Sequence, residues 1–530
     1  MGQETRLPPA MVFSSSVPVI AQMFLIPAAF LIIFVVRHVL LQLMFVNKFE
    51  PPVVFSWLPL FGSTIDYGMD PYKFYSKCQT KYGDIFTFVL IGKKHTVCLG
   101  PEGNNFVLNS SLAETSAADI YRALTVPIFG KDVCYDCSPA KFMEQKKFIK
   151  YNLTPDKLQR YIPLFFQETR DYVQKAICFQ GNEGTFDVVE NMSPLTLYTA
   201  SATLQGKEVR QKLNGRLAEL YHDLDKSFIP INFAFPGLPL PVNRQRDRAH
   251  KEIVSIYKSI IHARKTDSKS DKDATEDDMI GNLMQSAYKD GTPVADHEIA
   301  HTMIGLLMAG QHNTYSVASW ILFRLATRPE LQQELYEEQR SVFGFELNLE
   351  ASVEDIERLS LHKMVARETL RLHEPIHSML RAVKSPLTIT TKLPKSSASI
   401  TYRVPTTHVL MAAPGMSGRS EEYFTDPEEW EPRRWETSTE SSDTTKPAPG
   451  LLKTPQGANS PYLPFGAGRH RCVGESFAYL QLCTMTAYFV HHFTFENPPG
   501  VEGIPLTDFS SMITRPVVPA RLVWKRRVRN

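Results

Sequence analysis

The stretch FGAGRHRCVG, Phe465–Gly474, sets a single cysteine among glycines and basic residues. A cysteine at an arbitrary position is usually a small buried side chain without a chemical role. Three chemical interpretations compete with that one: a phosphate-binding loop, a zinc ligand, and a thiolate bound to a redox metal. The choice between them decides which fold the chain is expected to have.

The thiolate interpretation explains the stretch best. A phosphate loop of the form G-x-G-x-x-G fails because Arg471 stands where the last glycine belongs. Zinc needs three or four ligands, and only His470 lies near Cys472. Glycines permit tight turns whose amide groups point at a sulfur atom, and basic neighbours favour the ionised thiol. A helical pattern that begins after Gly474 adds a helix N-terminus.

The stretch resembles the haem-binding loop of the cytochrome P-450 superfamily: Phe, two residues, Gly, one residue, Arg or His, one residue, Cys, one residue, Gly. The matching positions are Phe465, Gly468, His470, Cys472 and Gly474. The resemblance implies a mainly α-helical cytochrome P-450 fold with a small β region. It implies Cys472 as the axial ligand of the haem iron, with Phe465 and Gly466 against the haem. Such a thiolate favours O–O cleavage, the chemistry of a monooxygenase.

Two further motifs resemble the same superfamily. Glu368 and Arg371 stand three residues apart in ETLR, a spacing that usually gives a solvated surface pair. Glu368 and Arg371 instead resemble the buried ion pair that members of the superfamily have on the helix behind the haem. The segment EPRRWE resembles its partner, with Pro432, Arg434 and Trp435 at the matching positions.

A long helix is predicted from Asp296 to about Thr327, ending before Pro329. At 1.5 Å per residue it would span roughly 48 Å, enough to cross a whole domain. Ala309 and Gly310 lie at its middle. Small residues there indicate either close helix packing or a surface against which a flat cofactor lies, and in the superfamily this is the oxygen-binding groove.

Two stretches narrow the resemblance to fungal sterol 14α-demethylases: YRALTVPIFGKDVCYDC, Tyr121–Cys137, and GQHNT, Gly310–Thr314. The resemblance runs from about Pro51 to the C-terminus, apart from a polar stretch at 437–457 that is predicted to be an exposed loop insertion. It implies removal of the 14α-methyl group of lanosterol or eburicol, in ergosterol biosynthesis. Three rounds would each consume O₂ and NADPH electrons, and formate would be released.

The resemblance also implies residue roles. Haem propionates, being acidic, would be held by Tyr121, Tyr135, Lys146, Arg381 and His470. A sterol pocket would be lined by Leu124, Phe129, Phe228, Phe233, His377, Ser378, Ser511 and Met512. A proton relay would pair His312 with Asp225, because splitting O₂ consumes protons, and Asn313 and Thr314 would lie beside the oxygen. Outside the family each would be an ordinary core or surface residue.

Four positions depart from the family pattern. Asn313 replaces a threonine, and an amide is a poor proton donor, although Thr314 follows. Val126 replaces another threonine, Cys134 lies in the pocket wall and Phe509 replaces a tyrosine. Two alternatives therefore stay open: a monooxygenase of the same fold acting on another sterol, terpenoid or secondary metabolite, and a catalytically impaired sterol-binding paralogue.

The N-terminal region predicts a membrane anchor. No charged residue lies between Leu7 and Val36, and the most apolar part has about the 20 residues that a spanning helix needs. A cleaved signal peptide is the alternative. Arg37 and Lys48 follow the apolar run, so the positive-inside rule puts the rest in the cytosol. We expect a single-pass anchor over 1–48 and one large haem domain over 49–530, at the endoplasmic reticulum membrane.

Composition agrees with a large globular enzyme. The chain has 530 residues, 43% of them hydrophobic, and a formal net charge of +2, which gives no indication of nucleic-acid binding. Its seven cysteines are odd in number and scattered, which argues against a disulfide framework. Cys134 and Cys137 are interpreted as unrelated thiols. The resemblance implies NADPH–cytochrome P-450 reductase, the lipid bilayer and a sterol as partners, with the reductase docking on the cysteine side.

Overall fold

The computed structural model describes residues 19–44, 47–58, 60–213, 215–267, 278–392, 398–436 and 457–528. Helices dominate these residues, as predicted. They are α1 (Val19–Met44), α2 (Thr64–Met69), α3 (Pro71–Tyr82), α4 (Gly100–Leu108), α5 (Ala118–Phe129), α6 (Pro139–Tyr151), α7 (Pro155–Lys175), α8 (Val188–Ala200), α9 (Lys207–Lys212), α10 (Gly215–Asp225), α11 (Ile231–Ala234), α12 (Pro241–Asp267), α13 (Met279–Gln285), α14 (Asp296–Ala326), α15 (Pro329–Phe343), α16 (Val353–Arg358), α17 (Ser360–Leu372), α18 (Pro414–Gly418) and α19 (Glu475–His492).

The strands are short and form a small β region beside the helices. They are β1 (Ile85–Leu90), β2 (Lys93–Cys98), β3 (Thr115–Ser116), β4 (Glu183–Asp187), β5 (Met379–Val383), β6 (Leu387–Lys392), β7 (Ser399–Val404), β8 (His408–Ala412), β9 (Phe493–Glu496), β10 (Thr507–Asp508), β11 (Arg515–Pro516) and β12 (Arg521–Arg526). The largest sheet has the order β1-β2-β8-β5-β3, in which only β2 and β8 run parallel. The other sheets have the orders β4-β12-β9, β6-β7 and β10-β11.

The β-rich run IFTFVLIGKKHTVCLG, Ile85–Gly100, predicts a hairpin around Gly92-Lys93-Lys94. The hairpin is confirmed, with its turn one residue earlier. β1 and β2 pair from Ile85 with Cys98 to Leu90 with Lys93. The two turn residues are Ile91 and Gly92, both with positive φ, as a two-residue hairpin turn requires. Lys93 therefore already belongs to the second strand.

The predicted long helix is also confirmed, because α14 has 31 residues and ends one residue before Thr327. Its first half contributes Met303 and Leu307 to a hydrophobic core shared with α10 and α12. Its second half contributes Ile321 and Phe323 to a core shared with α7, α17 and α19. The middle of α14 thus lies where the two cores meet, and the candidate site is found there.

Close packing explains one of the two small residues at the middle of α14. A Cβ atom added at Gly310 would lie 3.1 Å from Leu204 Cδ1 and 3.4 Å from Ala200 Cβ. Because Gly310 has no side chain, α14 can approach the end of α8 this closely. Ala309 is exposed, and both residues belong to the wall of a cavity. Close packing is therefore confirmed for Gly310, and the surface for a flat cofactor stays a prediction for the pair.

The N-terminal helix is joined to the body by polar contacts. The Gln42 side chain donates to Ser56 O at 2.8 Å and accepts from Ser56 N at 3.1 Å. The proline-containing segment that follows α1 runs beside β1, where Val54 N donates to Thr87 O at 2.7 Å. Within the residues that the model describes, no helix reaches both the length and the hydrophobicity of a membrane span.

Parts of three predictions lie outside the described residues. They are the first 18 residues of the expected anchor, residues 268–277 of the polar stretch Lys265–Asp278, and nearly all of the expected insertion at 437–457. The low complexity of Lys265–Asp278 predicts an exposed loop, but α12 extends to Asp267.

Candidate functional site

A cavity of about 380 Å³ lies between α5, the middle of α14, β5 and the start of α19. Its wall brings together twelve of the predicted site residues: Tyr121, Leu124, Tyr135, Phe228, Asn313, Thr314, Arg381, Phe465, Gly466, His470, Cys472 and Met512. The first and last of them, Tyr121 and Met512, are 391 positions apart in the chain. The fold therefore assembles most of the predicted set at one place.

The loop before α19 holds the cysteine in a defined position. Cys472 N donates to Phe465 O at 3.0 Å, and Gly474 N donates to the Cys472 sulfur at 3.3 Å. Gly468 has φ +66°, and a Cβ atom there would lie 2.4 Å from Leu108 O. Glycine is therefore required at that turn on two grounds, its conformation and the close approach of α4.

The basic neighbours do not make Cys472 an acidic thiol in this structure. Burial raises the pKa of the Cys472 thiol, and the Gly474 N–H group, Lys146 and Arg471 lower it by less. Arg471 also forms an ion pair with Glu475 at 2.6 Å, which diverts its charge from the sulfur. Arg471 still favours the ionised thiol, as its basic character predicts, but burial outweighs it, and a bound metal would have to supply the remaining stabilisation of the thiolate.

Four polar side chains of the wall suit a ligand with acidic groups. Arg381 is 6% exposed, donates only to Leu380 O, at 2.8 Å, and has no carboxylate partner among the described residues. The His470 Nδ1 atom is buried without a hydrogen-bond partner in the described part of the chain. The Tyr135 ring stacks on His470 at 5.6 Å, and Tyr121 accepts a hydrogen bond from Leu380 N. A buried cation without a counter-ion indicates that an anionic group belongs here.

Lys146 lies elsewhere than predicted. Its Nζ atom donates to Arg469 O and to Arg471 O, both at 2.8 Å, and it is not part of the cavity wall. The side chain therefore ties α6 to the cysteine loop. Because both acceptors are backbone oxygens of that loop, Lys146 acts on the site through the position of Cys472.

The polar residues of α14 have separate partners. Asn313 Nδ2 donates to Ala309 O at 3.3 Å, and Asn313 Oδ1 is buried with no hydrogen-bond partner in the described residues. The Thr314 hydroxyl donates to Gln481 Oε1 at 3.3 Å, and Gln481 Nε2 donates to Thr199 Oγ1 at 2.8 Å. Gln481 links α14, α19 and α8 beneath the cavity.

His312 and Asp225 lie together, but without a hydrogen bond. His312 Nδ1 is 3.3 Å from Asp225 Oδ1, yet neither ring nitrogen has a partner of hydrogen-bond geometry in the described chain. Burial lowers the pKa of the His312 imidazole, and the Asp225 charge only partly opposes this. Neither residue is part of the cavity wall.

The predicted sterol residues divide into two groups. Leu124, Phe228 and Met512 line the cavity, and the other five do not: Phe129, Phe233, His377, Ser378 and Ser511. Ser378 and His377 bond to each other at 2.8 Å, and Ser378 also bonds to Tyr75 at 2.6 Å and Tyr67 at 3.1 Å. These hydroxyl contacts hold the pair against α2 and α3 instead of the cavity.

Three of these five residues, Phe129, Phe233 and Ser511, lie just behind the cavity wall. The Phe129 ring is 6.0 Å from that of Phe228, and the Phe233 ring is 6.0 Å from that of Tyr121. Ser511 contacts Phe228 O at 3.5 Å. All three therefore support a residue that does line the cavity.

The charged motif on α17 is buried and not solvated. Both Glu368 and Arg371 have no exposed side-chain surface and pair at 2.7 Å. Arg434 Nε and Trp435 Nε1 also donate to the Glu368 carboxylate, each at 2.9 Å. The segment Pro432–Trp435 is thus fastened to α17 by one carboxylate.

Sequence reasoning did not single out several members of the site. Met379, Ile376, Thr125 and Leu306 line the cavity, and Gln481 supports Thr314 from below. Met379 stands two residues from Arg381 on β5, so the strand period could have placed it. Gln481 gives no such signal, because its role depends on the approach of α19 to α14.

The sequence model of the family Cytochrome P450 matches residues 51–524. The chain belongs to the cytochrome P450 family. The predicted fold and enzyme class, a haem-thiolate monooxygenase, are confirmed with it. The site residues fit a haem, since they combine a cysteine with buried cationic and phenolic groups.

Relatives of this P450 are fungal enzymes. It is 48% identical over 496 residues to the eburicol 14-alpha-demethylase of Uncinula necator, covering 92% of this chain and 93% of the relative. It is 45% identical over 520 residues to a sterol 14-alpha demethylase of Aspergillus flavus, covering 98% and 99%. The solved structure of retinoic acid-bound cyanobacterial CYP120A1 has a TM-score of 0.73 at 20% identity, covering 91% of this P450 and 100% of that chain. The resemblance to sterol 14α-demethylases is confirmed.

Proposed function

We propose that this P450 is a sterol 14α-demethylase that oxidises the 14α-methyl group of lanosterol or eburicol in three rounds and releases formate. The observation that carries the proposal is Cys472, held by the hydrogen bonds of its loop at the wall of a cavity. The same wall contains Arg381, a buried cation with no carboxylate partner among the described residues. The identity to demethylases over nearly the full chain supports the sterol as substrate.

The haem would be held by five residues of the wall. Cys472 would bind its iron, and Tyr121, Tyr135, Arg381 and His470 would bind its propionates, because these four are the phenolic, cationic and imidazole groups of the wall. When bound, a thiolate-ligated haem supplies O–O cleavage and the oxidising power of the reaction. Phe465 and Gly466 would lie against the haem. The ion pairs of Glu368 with Arg371 and Arg434 would hold α17 in place behind it.

The remaining wall would bind the sterol. Leu124, Phe228 and Met512 give it an apolar surface, which suits a rigid hydrocarbon skeleton and excludes water from the reacting carbon. Phe129, Phe233 and Ser511 would shape that surface from behind. His377 and Ser378 would contribute only at its far end, near Tyr67.

Protons would reach the cavity along α14. Asp225 and His312 lie next to each other and their neighbours Asn313 and Thr314 line the wall. The neutral imidazole favoured by burial is the form that accepts a proton from outside and passes it on. NADPH electrons would come from cytochrome P-450 reductase docking on the cysteine side, where Arg471 of the loop is exposed.

The chain would be anchored in the endoplasmic reticulum membrane by residues 1–48, with the haem domain of 49–530 in the cytosol. Large exposed apolar side chains support this arrangement. They occur on α1, for example Phe30 at 69%, and on the adjoining segment, where Trp57 is 68% and Leu60 is 63% exposed. Large exposed apolar side chains of this kind are typical of a membrane contact, and a sterol dissolved in the bilayer would enter there.

Purified full-length protein with reductase, NADPH and eburicol tests the proposal. We expect formate and the Δ14 sterol, and a carbon monoxide complex of the reduced protein with the absorption band of thiolate-bound haem. Cys472→His should lose that band, whereas Cys178→Ser, on a half-buried thiol remote from the cavity, should keep it. Sterol binding without formate would reject demethylation.

The His312 geometry favours a second candidate, a sterol-binding P450 with slow turnover. Its ring nitrogens have no hydrogen bond in the described chain, and Asn313 cannot serve as an acid. The same assay separates the two: tight eburicol binding with NADPH consumed mainly as peroxide supports the second candidate. Formate from another sterol or a terpenoid, with none from eburicol, would assign a different substrate.

A further inference from the structure

The hydroxyl proton of Thr314 is directed away from the cavity. Thr314 lines the wall, but its O–H group donates to Gln481 Oε1, which lies in the buried layer between α14 and α19. Gln481 is itself fully buried and fixed by its donation to Thr199. A hydroxyl has one proton, so Thr314 offers a cavity ligand only oxygen lone pairs.

Asn313, in contrast to Thr314, offers the cavity a hydrogen-bond donor. Its Oδ1 atom is buried and has no partner in the described residues, so the oxygen end of the amide is shielded. Its Nδ2 atom donates to Ala309 O, and Ala309 is an exposed residue of the same wall. Exchanging the nitrogen and oxygen would set two carbonyl oxygens against each other, so the hydrogen-bond pattern fixes this orientation. An amide nitrogen carries two protons, and only one is used by Ala309.

We infer that Asn313 is a binding residue for a carbonyl oxygen on the reacting carbon of the substrate. The inference rests on the proposed function, in which one carbon passes from methyl to alcohol to aldehyde before it leaves as formate. The methyl group has no hydrogen-bonding atom, the alcohol both donates and accepts, and the aldehyde only accepts. The free Asn313 N–H can donate to the oxygen of the alcohol or of the aldehyde. For the aldehyde it is the only hydrogen bond that this pair of residues offers, because Thr314 presents lone pairs alone.

This role explains why an amide suits the position where the family has a threonine. The amide does not give up its proton, so it can hold the aldehyde oxygen without acting as an acid. Retention matters in a reaction of several rounds, since an intermediate that leaves must be bound again. We expect this hydrogen bond to make the dissociation constant about three- to tenfold tighter, which corresponds to about 0.7–1.4 kcal/mol and is the contribution typical of a neutral hydrogen bond.

The test measures binding and needs no turnover. Dissociation constants are determined by calorimetry for the haem-loaded protein with three ligands: a 14α-methyl sterol, its 14α-hydroxymethyl derivative and its 14α-formyl derivative. The wild type is expected to bind the formyl sterol about three- to tenfold more tightly than the methyl sterol. Asn313→Asp keeps the shape and removes both N–H groups, so the preference should disappear. Asn313→Ala should give the same loss, which covers the case in which a buried carboxylate prevents folding.

Asn191→Asp is the matched control. Asn191 is a half-buried asparagine of α8 that accepts from Tyr172 and donates to Asp187 O, outside the cavity wall. Its variant should keep the formyl preference. Equal binding of formyl and methyl sterols by the wild type, or a preference that survives Asn313→Ala, would overturn the inference while leaving demethylation intact. If none of the three sterols binds, the proposed function itself fails and the inference with it.

Discussion

The guanidinium group of Arg371 forms two hydrogen bonds with the carboxylate of Glu368, at 2.7 and 2.9 Å, and neither side chain is exposed to solvent. The same carboxylate accepts from Arg434 and Trp435, so one negative charge balances two buried cations. An ion pair so placed connects α17 to the segment Pro432–Trp435.

Glu368→Gln should therefore destabilise the protein strongly. It leaves Arg371 and Arg434 buried without a counter-ion, and breaking a buried pair costs about 3–5 kcal/mol. Denaturant unfolding of the haem-loaded protein measures the loss. The exposed pair Arg216–Glu252 supplies the control, since solvent screens its charges and Glu252→Gln should change stability little. Similar losses of unfolding free energy in both variants would show that the buried ion pairs of Glu368 contribute no more to stability than the exposed pair does.

Gly468→Ala should loosen the cysteine loop. The substitution places a Cβ atom 2.4 Å from Leu108 O at φ +66°, so both a clash and an unfavourable backbone conformation arise. Gly500 also has positive φ, +80°, but has no atom within 4 Å of the added Cβ. Gly500→Ala therefore isolates the backbone effect of about 1 kcal/mol, and Gly468→Ala should exceed it and lower the haem content. Equal unfolding midpoints for the two variants would contradict the close approach of α4.

Glu374 should make stability depend on pH. Burial raises the pKa of its carboxyl from 4.5 to about 7, while a hydrogen bond from Tyr72 at 2.9 Å acts in the other direction. The folded protein thus holds this proton more tightly than the unfolded chain does. Stability contributed by the protonated group is full below pH 4.5 and declines as pH rises to about 7.

Glu374→Gln removes that dependence. Relative to wild type, the variant should gain about 2–3 kcal/mol at pH 8 compared with pH 4.5, as measured by denaturant unfolding at both values. The exposed residue Glu421 gives the control, because Glu421→Gln should show no such difference. A Glu374→Gln effect that is the same at both pH values would mean that the carboxylate is charged in the fold.

The hydrogen bond between Thr314 and Gln481 can be measured with a double-mutant cycle. Thr314→Val and Gln481→Leu should each destabilise the protein, and the double variant should lose about 1 kcal/mol less than the sum of the two. Gln481→Glu, which keeps the acceptor, should retain most of the coupling. Strict additivity of the two single changes would show that the 3.3 Å contact contributes nothing.

The parts of the molecule that sequence predicts well are those that local chemistry determines. The cysteine loop has its glycines, its tight turns and the start of the next helix in one short stretch. The sequence of α14 has a long regular pattern that ends before a proline. Tyr121 and Arg381 were placed at the cavity through the resemblance alone, since nothing near them in the chain indicates a ligand.

What sequence missed depends on how distant segments meet. Lys146 points to backbone oxygens of the cysteine loop because α6 passes within reach of that loop. Ser378 is held by Tyr67 and Tyr75, two residues that come from the first helices of the body. The raised pKa of the Cys472 thiol likewise follows from burial, a tertiary property that a run of basic letters does not reveal.

Gly310 lines the cavity and also packs against the end of α8. A Cβ atom there would lie 3.1 Å from Leu204 Cδ1, so one extra methyl group would force α14 or Leu204, itself a residue of the cavity wall, to move. The space open to a substrate is therefore set in part by a residue that has no side chain. Selection for a slimmer or bulkier sterol would act on this contact as well as on the large side chains of the wall.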